Sequence, residues 1–223
     1  MKLITKMSLR DSIISKVATT AIEKSKQGSP IVYGWMVDYF YKGFEANNIP
    51  AGMKALEPYL ADPNCLTSKR MEIERRLKGI ETLVPGTIAS EIVMPEVNGN
   101  LFVLSNFNPG TKYILLLFWS ADCQHCLETV NNLYPWQQTP EYQSKVSVVA
   151  VSLDETETEV QAWNQKIKEL SGWKHIRAAD GINGKVANDY FVLATPVMIL
   201  IDARTKEIIS LPASINELQL LFK

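Results

Sequence analysis

The spacing of hydrophobic and polar positions changes near residue 85, which predicts that the chain has two differently built parts. Before that point, apolar residues recur every three or four positions, as on one face of an amphipathic helix. After it, short apolar runs alternate with helical stretches, as expected of a sheet whose strands are joined by helices. The pattern therefore predicts a helical domain over residues 1–84 and an α/β domain over residues 85–223.

Four helices are predicted in the first part. The first carries an apolar stripe at helical spacing, formed by Leu9, Ile13, Val17 and Ala21. Ser29 followed by Pro30 predicts the start of the second helix, because Pro is favoured in a first turn. A third helix is predicted over residues 51–60 and a fourth over residues 69–83. We interpret large apolar residues of the second helix as core, with a partner-binding groove as the alternative: Ile31, Trp35, Met36, Tyr39, Phe40 and Phe44.

The second part begins with a predicted β-hairpin, because Asn98-Gly99 separates two short apolar runs. Residues 112–119 and 146–153 are continuous apolar runs, which are typical of strands buried on both faces. Thr156 and Glu159 have the spacing of a capping box that begins the next helix. Shorter elements complete this part: a helix over residues 183–190, strands over residues 197–201 and 207–211, and a helix over residues 215–222.

Composition and charge exclude several classes of function. The chain is 46% hydrophobic and 21% charged, as in globular proteins with a substantial core. Its net charge is −1 and it has no basic run, so nothing favours nucleic acid as a partner. No stretch approaches the roughly 20 apolar residues of a membrane-spanning helix. The first ten residues lack the apolar core of a signal peptide, so we expect a cytoplasmic protein or an exported one without its leader.

The candidate chemistry lies in Cys123-Gln124-His125-Cys126, which follows the predicted buried strand and begins a predicted helix. A helix N-terminus offers unpaired N–H groups and partial positive charge, and both favour a thiolate on the first cysteine. Residues three apart on a helix share a face, so the two sulfurs can close into a disulfide and reopen. The sequence therefore predicts a redox-active pair, with a structural disulfide or an inert remnant as the alternatives.

Metal binding is a further alternative, in which His125 would join the two cysteines. A closed zinc site takes four ligands, and only Cys65 and His175 could be added to that set. We otherwise expect Cys65 to be a buried or idle thiol and His175 to be a surface or strand residue.

The predicted helix that begins at the capping box of Thr156 has acidic residues before and within its first turn. They are interpreted as charges that favour the helix dipole: Asp154, Glu155, Glu157 and Glu159.

Two prolines carry structural predictions. Pro196 stands at the start of a predicted strand, where a residue without an N–H needs a specific reason. A cis peptide there would bring the Thr195 backbone beside the cysteines, with its N–H and C=O free to pair with a substrate chain. Pro135 removes a hydrogen bond to the Asn131 carbonyl, so we expect a kink in the cysteine helix.

The segment from Trp119 to Cys126, together with Thr195-Pro196, resembles the thioredoxin superfamily. It is more closely similar to the exported TlpA/ResA-like reductases of Bacteroides-type bacteria, whose domain opens with a segment similar to residues 86–104. The resemblance covers about residues 85–223. It implies an α/β thioredoxin-like fold: a central mixed sheet flanked by helices, with an amino-terminal β-hairpin, preceded by a small all-α domain.

The same resemblance implies a thiol–disulfide oxidoreductase of the periplasm or another extracytoplasmic compartment. Cys123 would be the attacking thiolate and Cys126 the resolving thiol. No cofactor and no metal are implied, and the partners would be disulfide-bearing or dithiol proteins and an upstream electron donor. Further roles follow by resemblance: redox tuning by Gln124, His125 and Glu128, and substrate contact by Trp119, Thr195 and Pro196.

Two positions depart from the family pattern and leave the direction of electron flow open between reduction and isomerisation. Leu117 stands where thioredoxin has a buried Asp, and Thr129 stands where the exported reductases carry a Glu. The nearby acid is Glu128, and one residue along a helix turns a side chain by about 100°. A hypothesis of another class is a binding module, in which the helical domain captures a protein and the thioredoxin fold is a platform.

Overall fold

The computed structural model of this chain describes residues 2–47 and 49–223, with side chains from Arg10 onward. The chain forms two compact units, Met1–Glu81 and Thr82–Lys223. Among the helices of these described residues, none combines the length and the apolar character needed to span a membrane. The predicted domain boundary between residues 84 and 85 stays a prediction.

The first unit is helical, as the apolar spacing predicts. Its helices are α1 (Lys2–Ser25), α2 (Pro30–Ala46), α3 (Pro50–Ala55), α4 (Glu57–Leu60) and α5 (Arg70–Thr82). Ser29 caps α2, because its side chain accepts a hydrogen bond from the Ile31 N–H at 3.3 Å. The predicted third helix is broken into α3 and α4. Pro58 has no N–H to donate to the Lys54 carbonyl, so a continuous helix would lack that bond.

The buried face of α1 does not follow the apolar stripe that the spacing indicates. Ala18 and Ile22 are fully buried, whereas Ile13 and Val17 are more than half exposed. Both pairs are spaced four residues apart, so the sequence contains two overlapping stripes. The contacts of α1 with α2 and α3 select the pair that is buried. The predicted contribution of Leu9 concerns a side chain outside the described ones.

The core face predicted for α2 is also wrong in part. Ile31, Trp35 and Tyr39 are 72%, 65% and 61% exposed. The buried residues of this helix are Tyr33, Gly34, Val37, Tyr41 and Phe44. Because large apolar residues surround α2 on nearly every side, their spacing alone does not determine which face packs inward.

The second unit contains seven strands and five helices among its described residues. The strands are β1 (Val93–Pro95), β2 (Leu101–Val103), β3 (Tyr113–Trp119), β4 (Val146–Ser152), β5 (Lys174–Arg177), β6 (Val197–Asp202) and β7 (Ile208–Ser210). The helices are α6 (Gln124–Gln137), α7 (Pro140–Gln143), α8 (Glu157–Lys166), α9 (Lys185–Asp189) and α10 (Ile215–Leu220). Two single 3-10 turns cover Ile167–Glu169 and Gly181–Asn183.

Five of these strands form one mixed sheet in the order β5-β4-β3-β6-β7. Strands β3, β4 and β5 run parallel to one another, and β6 runs antiparallel to both of its neighbours. The strands β1 and β2 form the predicted hairpin, whose turn uses Gly99 at φ +84°. The strand β5 and the helix α7 were not predicted. In β5 only Ile176 is fully buried, so this edge strand lacks a continuous apolar run.

The central strand β3 is buried on both faces, as predicted. Its alternate side chains enter two separate core clusters, because successive residues of a strand point to opposite faces. Ile114, Leu116 and Phe118 join the cluster that includes Ala187 of α9. Leu115, Leu117 and Trp119 join the cluster beneath α6, α8 and α10. The predicted mixed sheet flanked by helices is confirmed, and it delivers the chain to the cysteines at the end of β3.

Candidate active site

Cys123 is the N-cap residue of α6 and has extended backbone angles of φ −93° and ψ 112°. Its sulfur accepts a hydrogen bond from the Cys126 N–H at 3.2 Å. That N–H is one of the four at a helix N-terminus without a partner inside the helix, so the cap satisfies it. Cys123 is half-buried, whereas Cys126 is fully buried in the cluster beneath α6. Only the Cys123 sulfur is therefore accessible to a disulfide carried by another protein.

The surroundings of Cys126 favour its neutral thiol. The pKa of Cys126 is raised to about 12, chiefly by burial and also by the neighbouring Cys123 side chain. Hydrogen bonds from the Thr195 side chain and from the Ser120 backbone act in the opposite direction and lower that pKa. The two sulfurs thus differ in accessibility, and the buried Cys126 sulfur resists ionisation, as expected of a resolving thiol.

The structure places Thr195 and Pro196 beside the cysteines, although they are about 70 residues away in the sequence. The Thr195–Pro196 peptide bond is cis, and Pro196 directly precedes β6. The Thr195 carbonyl oxygen lies 3.8 Å from the sulfur of Cys123. Both residues are partly exposed, so a polypeptide lying against this loop would contact them and the sulfur together.

The three residues predicted to tune the redox poise lie on the exposed side of the first turns of α6. His125 Nδ1 lies 3.7 Å from a Glu128 carboxylate oxygen, and the two side chains are 75% and 60% exposed. Gln124 donates a hydrogen bond to the same carboxylate at 3.4 Å. Solvent screens charges this exposed, so their effect on the sulfurs is modest. The next residue, Thr129, is buried, which confirms that Glu128 and Thr129 face different surroundings.

Trp119 requires a correction, because it was predicted to contact substrate and its side chain has no exposed surface. It is the last residue of β3, and the alternation of the strand directs it into the cluster beneath α6. Its indole N–H has no hydrogen-bond partner among the described residues. Trp119 therefore packs under the site and does not form part of its surface.

Sequence reasoning missed the role of Asp154, which was interpreted as a helix-start charge. The residue is fully buried, and its carboxylate accepts hydrogen bonds from the Ser120 hydroxyl at 2.6 Å and the Ala121 N–H at 2.9 Å. The helix-start interpretation holds for Glu159, which forms the predicted capping box with Thr156. One signal could have indicated this role: Asp154 lies just beyond the end of the buried strand β4, and β4 pairs with β3, which Ser120 and Ala121 follow.

The residues considered for a metal site do not assemble with the pair. Cys65 is buried in the core of the helical unit, and burial raises the pKa of its thiol. His175 lies on β5, where its Nε2 is 3.0 Å from the Leu170 carbonyl oxygen and burial lowers its pKa. Over residues 2–47 and 49–223, no three His, Cys, Asp or Glu side chains are grouped so that they could hold a metal ion.

Comparison with known families identifies the fold that holds this site. Residues 110–208 match a family described as thioredoxin-like. No curated protein matches the sequence. The matched segment contains both cysteines and the Thr195–Pro196 peptide, so it includes every residue of the candidate site.

Solved structures from Bacteroides species share the same fold. A thioredoxin-like protein from Bacteroides caccae is 21% identical with a TM-score of 0.63, and the match covers 93% of this chain and 77% of that one. The thioredoxin domain of a thiol-disulfide oxidoreductase from Bacteroides vulgatus is 24% identical with a TM-score of 0.52, covering 63% and 96%. A thiol-disulfide oxidoreductase from Bacteroides fragilis is 22% identical with a TM-score of 0.53, covering 61% and 97%. The second unit therefore has a thioredoxin-like fold, as the resemblance implies.

Proposed function

We propose that this thioredoxin-like domain is a thiol–disulfide oxidoreductase whose catalytic residues are Cys123 and Cys126. One observation carries the proposal: a half-buried thiol caps α6 and accepts the Cys126 N–H, while the second thiol lies buried three residues later. A helix N-terminus stabilises a thiolate at the cap, which is the reactive form of a cysteine. The thiol-disulfide oxidoreductases from Bacteroides vulgatus and Bacteroides fragilis, which share the fold, support it.

The reaction is a pair of thiol–disulfide exchanges. The Cys123 thiolate attacks one sulfur of a substrate disulfide, so that a mixed disulfide forms and the other substrate sulfur leaves as a thiolate that takes a proton from water. Cys126 then loses its proton to solvent and attacks the Cys123 sulfur, which forms the Cys123–Cys126 bond and releases the second substrate thiolate. Two electrons pass from the pair to the substrate. A dithiol protein must return two electrons before the next cycle.

Isomerisation uses the same first step and a different second step. If another thiol of the substrate attacks the mixed disulfide before Cys126 does, the substrate leaves with a rearranged disulfide and no net electron transfer. The buried Cys126 has a raised pKa, which slows its attack and lengthens the life of the mixed disulfide. Gln124, His125 and Glu128 would tune the balance from the exposed side of α6.

The proposed substrates are disulfide-bearing proteins outside the cytoplasm. Thr195 and Pro196 would hold an extended substrate segment against Cys123, because the Thr195 carbonyl lies beside that sulfur. The extracytoplasmic location rests on the resemblance to exported reductases, which work where protein disulfides persist.

The test is reduction of insulin by the full chain with a dithiol reductant. The wild type should accelerate insulin precipitation, and Cys123→Ser should lose that acceleration. Cys126→Ser should instead accumulate a mixed disulfide with the substrate that mass spectrometry detects. Cys65→Ser is the matched control and should behave as wild type. Unchanged turnover in Cys123→Ser would overturn the proposal.

A second candidate function, a partner-binding module, is favoured by the exposed apolar side chains of α2. Ile31, Trp35 and Tyr39 are each more than 60% exposed, which is unusual for residues of this size. If this face holds a protein, a complex should form with the Cys123→Ala/Cys126→Ala double variant and fail to form after Trp35→Ala. Loss of every partner in the double variant would argue against it.

A further inference from the structure

The loop that leads from β3 to the first cysteine is fastened at its start to a carboxylate beside the neighbouring strand. Ser120 and Ala121 are the first two residues after β3. The Ser120 hydroxyl donates to Asp154 Oδ1 at 2.6 Å, and the Ala121 N–H donates to the same oxygen at 2.9 Å. Asp154 therefore binds one side chain and one backbone N–H at the point where the chain leaves the sheet.

The sheet brings Asp154 to this position and holds it there. The Leu153 N–H donates to the Trp119 carbonyl at 2.9 Å, which continues the pairing of β4 with β3. The Ser152 hydroxyl donates to Asp154 Oδ2 at 2.6 Å, and both residues are fully buried. The Arg177 guanidinium donates to the Asp154 carbonyl at 3.1 Å. A buried carboxylate costs free energy unless donors surround it, so this degree of pairing indicates a group with a defined purpose.

Capping of α8 does not supply that purpose. The first turn of α8 is closed by Thr156, which accepts the Glu159 N–H, and by Glu159, which accepts the N–H groups of Glu155 and Thr156. The hydrogen bonds that the structure describes for the Asp154 carboxylate go instead to residues just before α6 and at the end of β4.

From Ser120, hydrogen bonds lead on to the backbone of Cys123. The Ser120 hydroxyl accepts the Asp122 N–H at 3.2 Å, and the Ser120 carbonyl accepts the Cys123 N–H at 3.3 Å. Asp154 thus fixes Ser120, and Ser120 holds the two residues that complete the loop. The carboxylate and the attacking cysteine are therefore joined by hydrogen bonds through a single residue.

Two sets of contacts locate the Cys123 sulfur. Within α6, the Cys126 N–H donates to that sulfur at 3.2 Å, and the Leu127 N–H donates to the Cys123 carbonyl at 3.0 Å. These bonds keep the sulfur at the helix cap. The loop bonds through Ser120 instead place the cap relative to the sheet, where the Thr195 carbonyl before β6 lies 3.8 Å from the sulfur.

We propose that Asp154 is a positioning residue for the attacking thiol: it fixes the start of α6 so that the Cys123 sulfur stays beside the Thr195 carbonyl. The inference rests on the proposed function and deepens it, because it assigns the alignment of the first exchange to a residue outside the Cys-x-x-Cys segment. Exchange requires the attacking sulfur to approach the substrate disulfide in the correct direction, so a displaced sulfur reacts slowly.

Two reagents distinguish the position of the sulfur from its reactivity. Iodoacetamide is small and needs only an accessible thiolate at the cap, which the bonds within α6 maintain. A peptide disulfide held against Thr195 also needs the sulfur at the correct place beside that loop. Loss of the Asp154 anchor should therefore slow attack on the peptide more than alkylation.

The experiment uses the full chain with Cys126→Ser, in which the reaction stops at the mixed disulfide. Cys65 is buried, so Cys123 is the accessible cysteine in this parent. The substrate is an excess of two peptide strands joined by one disulfide, and acid quenching with mass spectrometry follows the mixed disulfide. Adding Asp154→Ala should slow its formation roughly five- to ten-fold, as expected for lost hydrogen bonds, and change alkylation by iodoacetamide by less than about two-fold.

Three further variants separate position from charge and from general damage. Ser120→Ala removes a single hydroxyl and should slow formation roughly two- to five-fold, so it keeps the test available if Asp154→Ala does not fold. Asp154→Asn should restore most of the rate, because the amide oxygen can accept from Ser120 and Ala121 while its NH₂ donates to Ser152. Ser147→Ala removes a hydroxyl from the other end of β4 and should leave both rates unchanged.

Several results would overturn the inference. They are unaltered disulfide formation in Ser120→Ala or Asp154→Ala, formation as slow in Asp154→Asn as in Asp154→Ala, and a fall in alkylation as large as the fall in disulfide formation. Failure of the Cys126→Ser parent to form any mixed disulfide would instead overturn the proposed function itself.

Discussion

At the scale of single residues, two sulfurs three positions apart have opposite surroundings. Cys123 lies at the cap of α6 with an accessible sulfur and a backbone N–H donor. Cys126 is buried, and its pKa is raised to about 12. The difference arises because one turn of a helix carries a side chain from its exposed cap to the face that packs on the sheet.

This asymmetry predicts selective alkylation of the reduced protein. Because burial raises the pKa of Cys126, its thiolate is scarce at pH 7. Iodoacetamide should therefore modify Cys123 and leave Cys126 unmodified, with labelling of Cys126 rising as the pH approaches that pKa. Peptide mass spectrometry after a short exposure measures both sites. Equal labelling of the two cysteines at pH 7 would contradict the assignment.

The sequence predicted some of these residues well and others poorly. The cap position of Cys123 follows from local rules, because a buried strand and a helix start are both visible in the sequence. Asp154 was misassigned because its partners, Ser120 and Ala121, are brought to it only by the pairing of β3 with β4. Trp119 was misassigned because the direction of a strand-end side chain depends on how the sheet is covered.

At the scale of elements, α8 shows how local chemistry fixes an element beside the site. Its capping box is complete, with Thr156 accepting the Glu159 N–H at 3.3 Å and Glu159 accepting the Thr156 N–H at 2.8 Å. This helix begins three residues after the buried Asp154, so a well-defined start also restrains the segment that carries the carboxylate.

Replacing the cap should therefore destabilise the protein without altering its chemistry. Thr156→Ala should lower the free energy of unfolding by about 1 kcal/mol, because it leaves an N–H of the first turn without its acceptor. Thr158→Ala, inside the same turn, removes a Thr that does not cap the helix and should cost less. Urea unfolding of both variants measures the difference. A loss no larger in Thr156→Ala than in Thr158→Ala would show that the box contributes little.

Elements were predictable where a local rule governed them. The hairpin and the capping box depend on neighbouring residues, and both are present. The edge strand β5 was not predicted, because it is defined by its pairing with β4 more than by its own residues. The core face predicted for α2 was wrong in part, and the buried face of α1 does not follow its predicted stripe, because packing among the helices chooses between overlapping apolar stripes.

At the scale of the whole molecule, the chain comprises a helical unit and a thioredoxin-like unit. Within the second unit, two buried clusters lie on opposite faces of one sheet. All residues of the candidate site belong to this unit. A unit of this size with its own core meets the physical conditions for folding alone.

We therefore expect residues 82–223 to fold and to retain the proposed exchange activity without the helical unit. The fragment should unfold in a single cooperative transition in urea, and its insulin reduction per molecule should stay within a few-fold of the full chain. Circular dichroism and the insulin assay measure the two properties. A fragment without a cooperative transition would show that the helical unit is required for folding.

The most direct test of the central claim is a redox titration of the full chain against a glutathione series. Mass spectrometry of trapped thiols should show one two-electron transition, with Cys123 and Cys126 joined in the oxidised state and Cys65 free in both states. The midpoint should lie between about −270 mV, near thioredoxin-like reductants, and about −120 mV, near strong oxidants. Absence of a two-electron transition, or a disulfide that includes Cys65, would contradict the account.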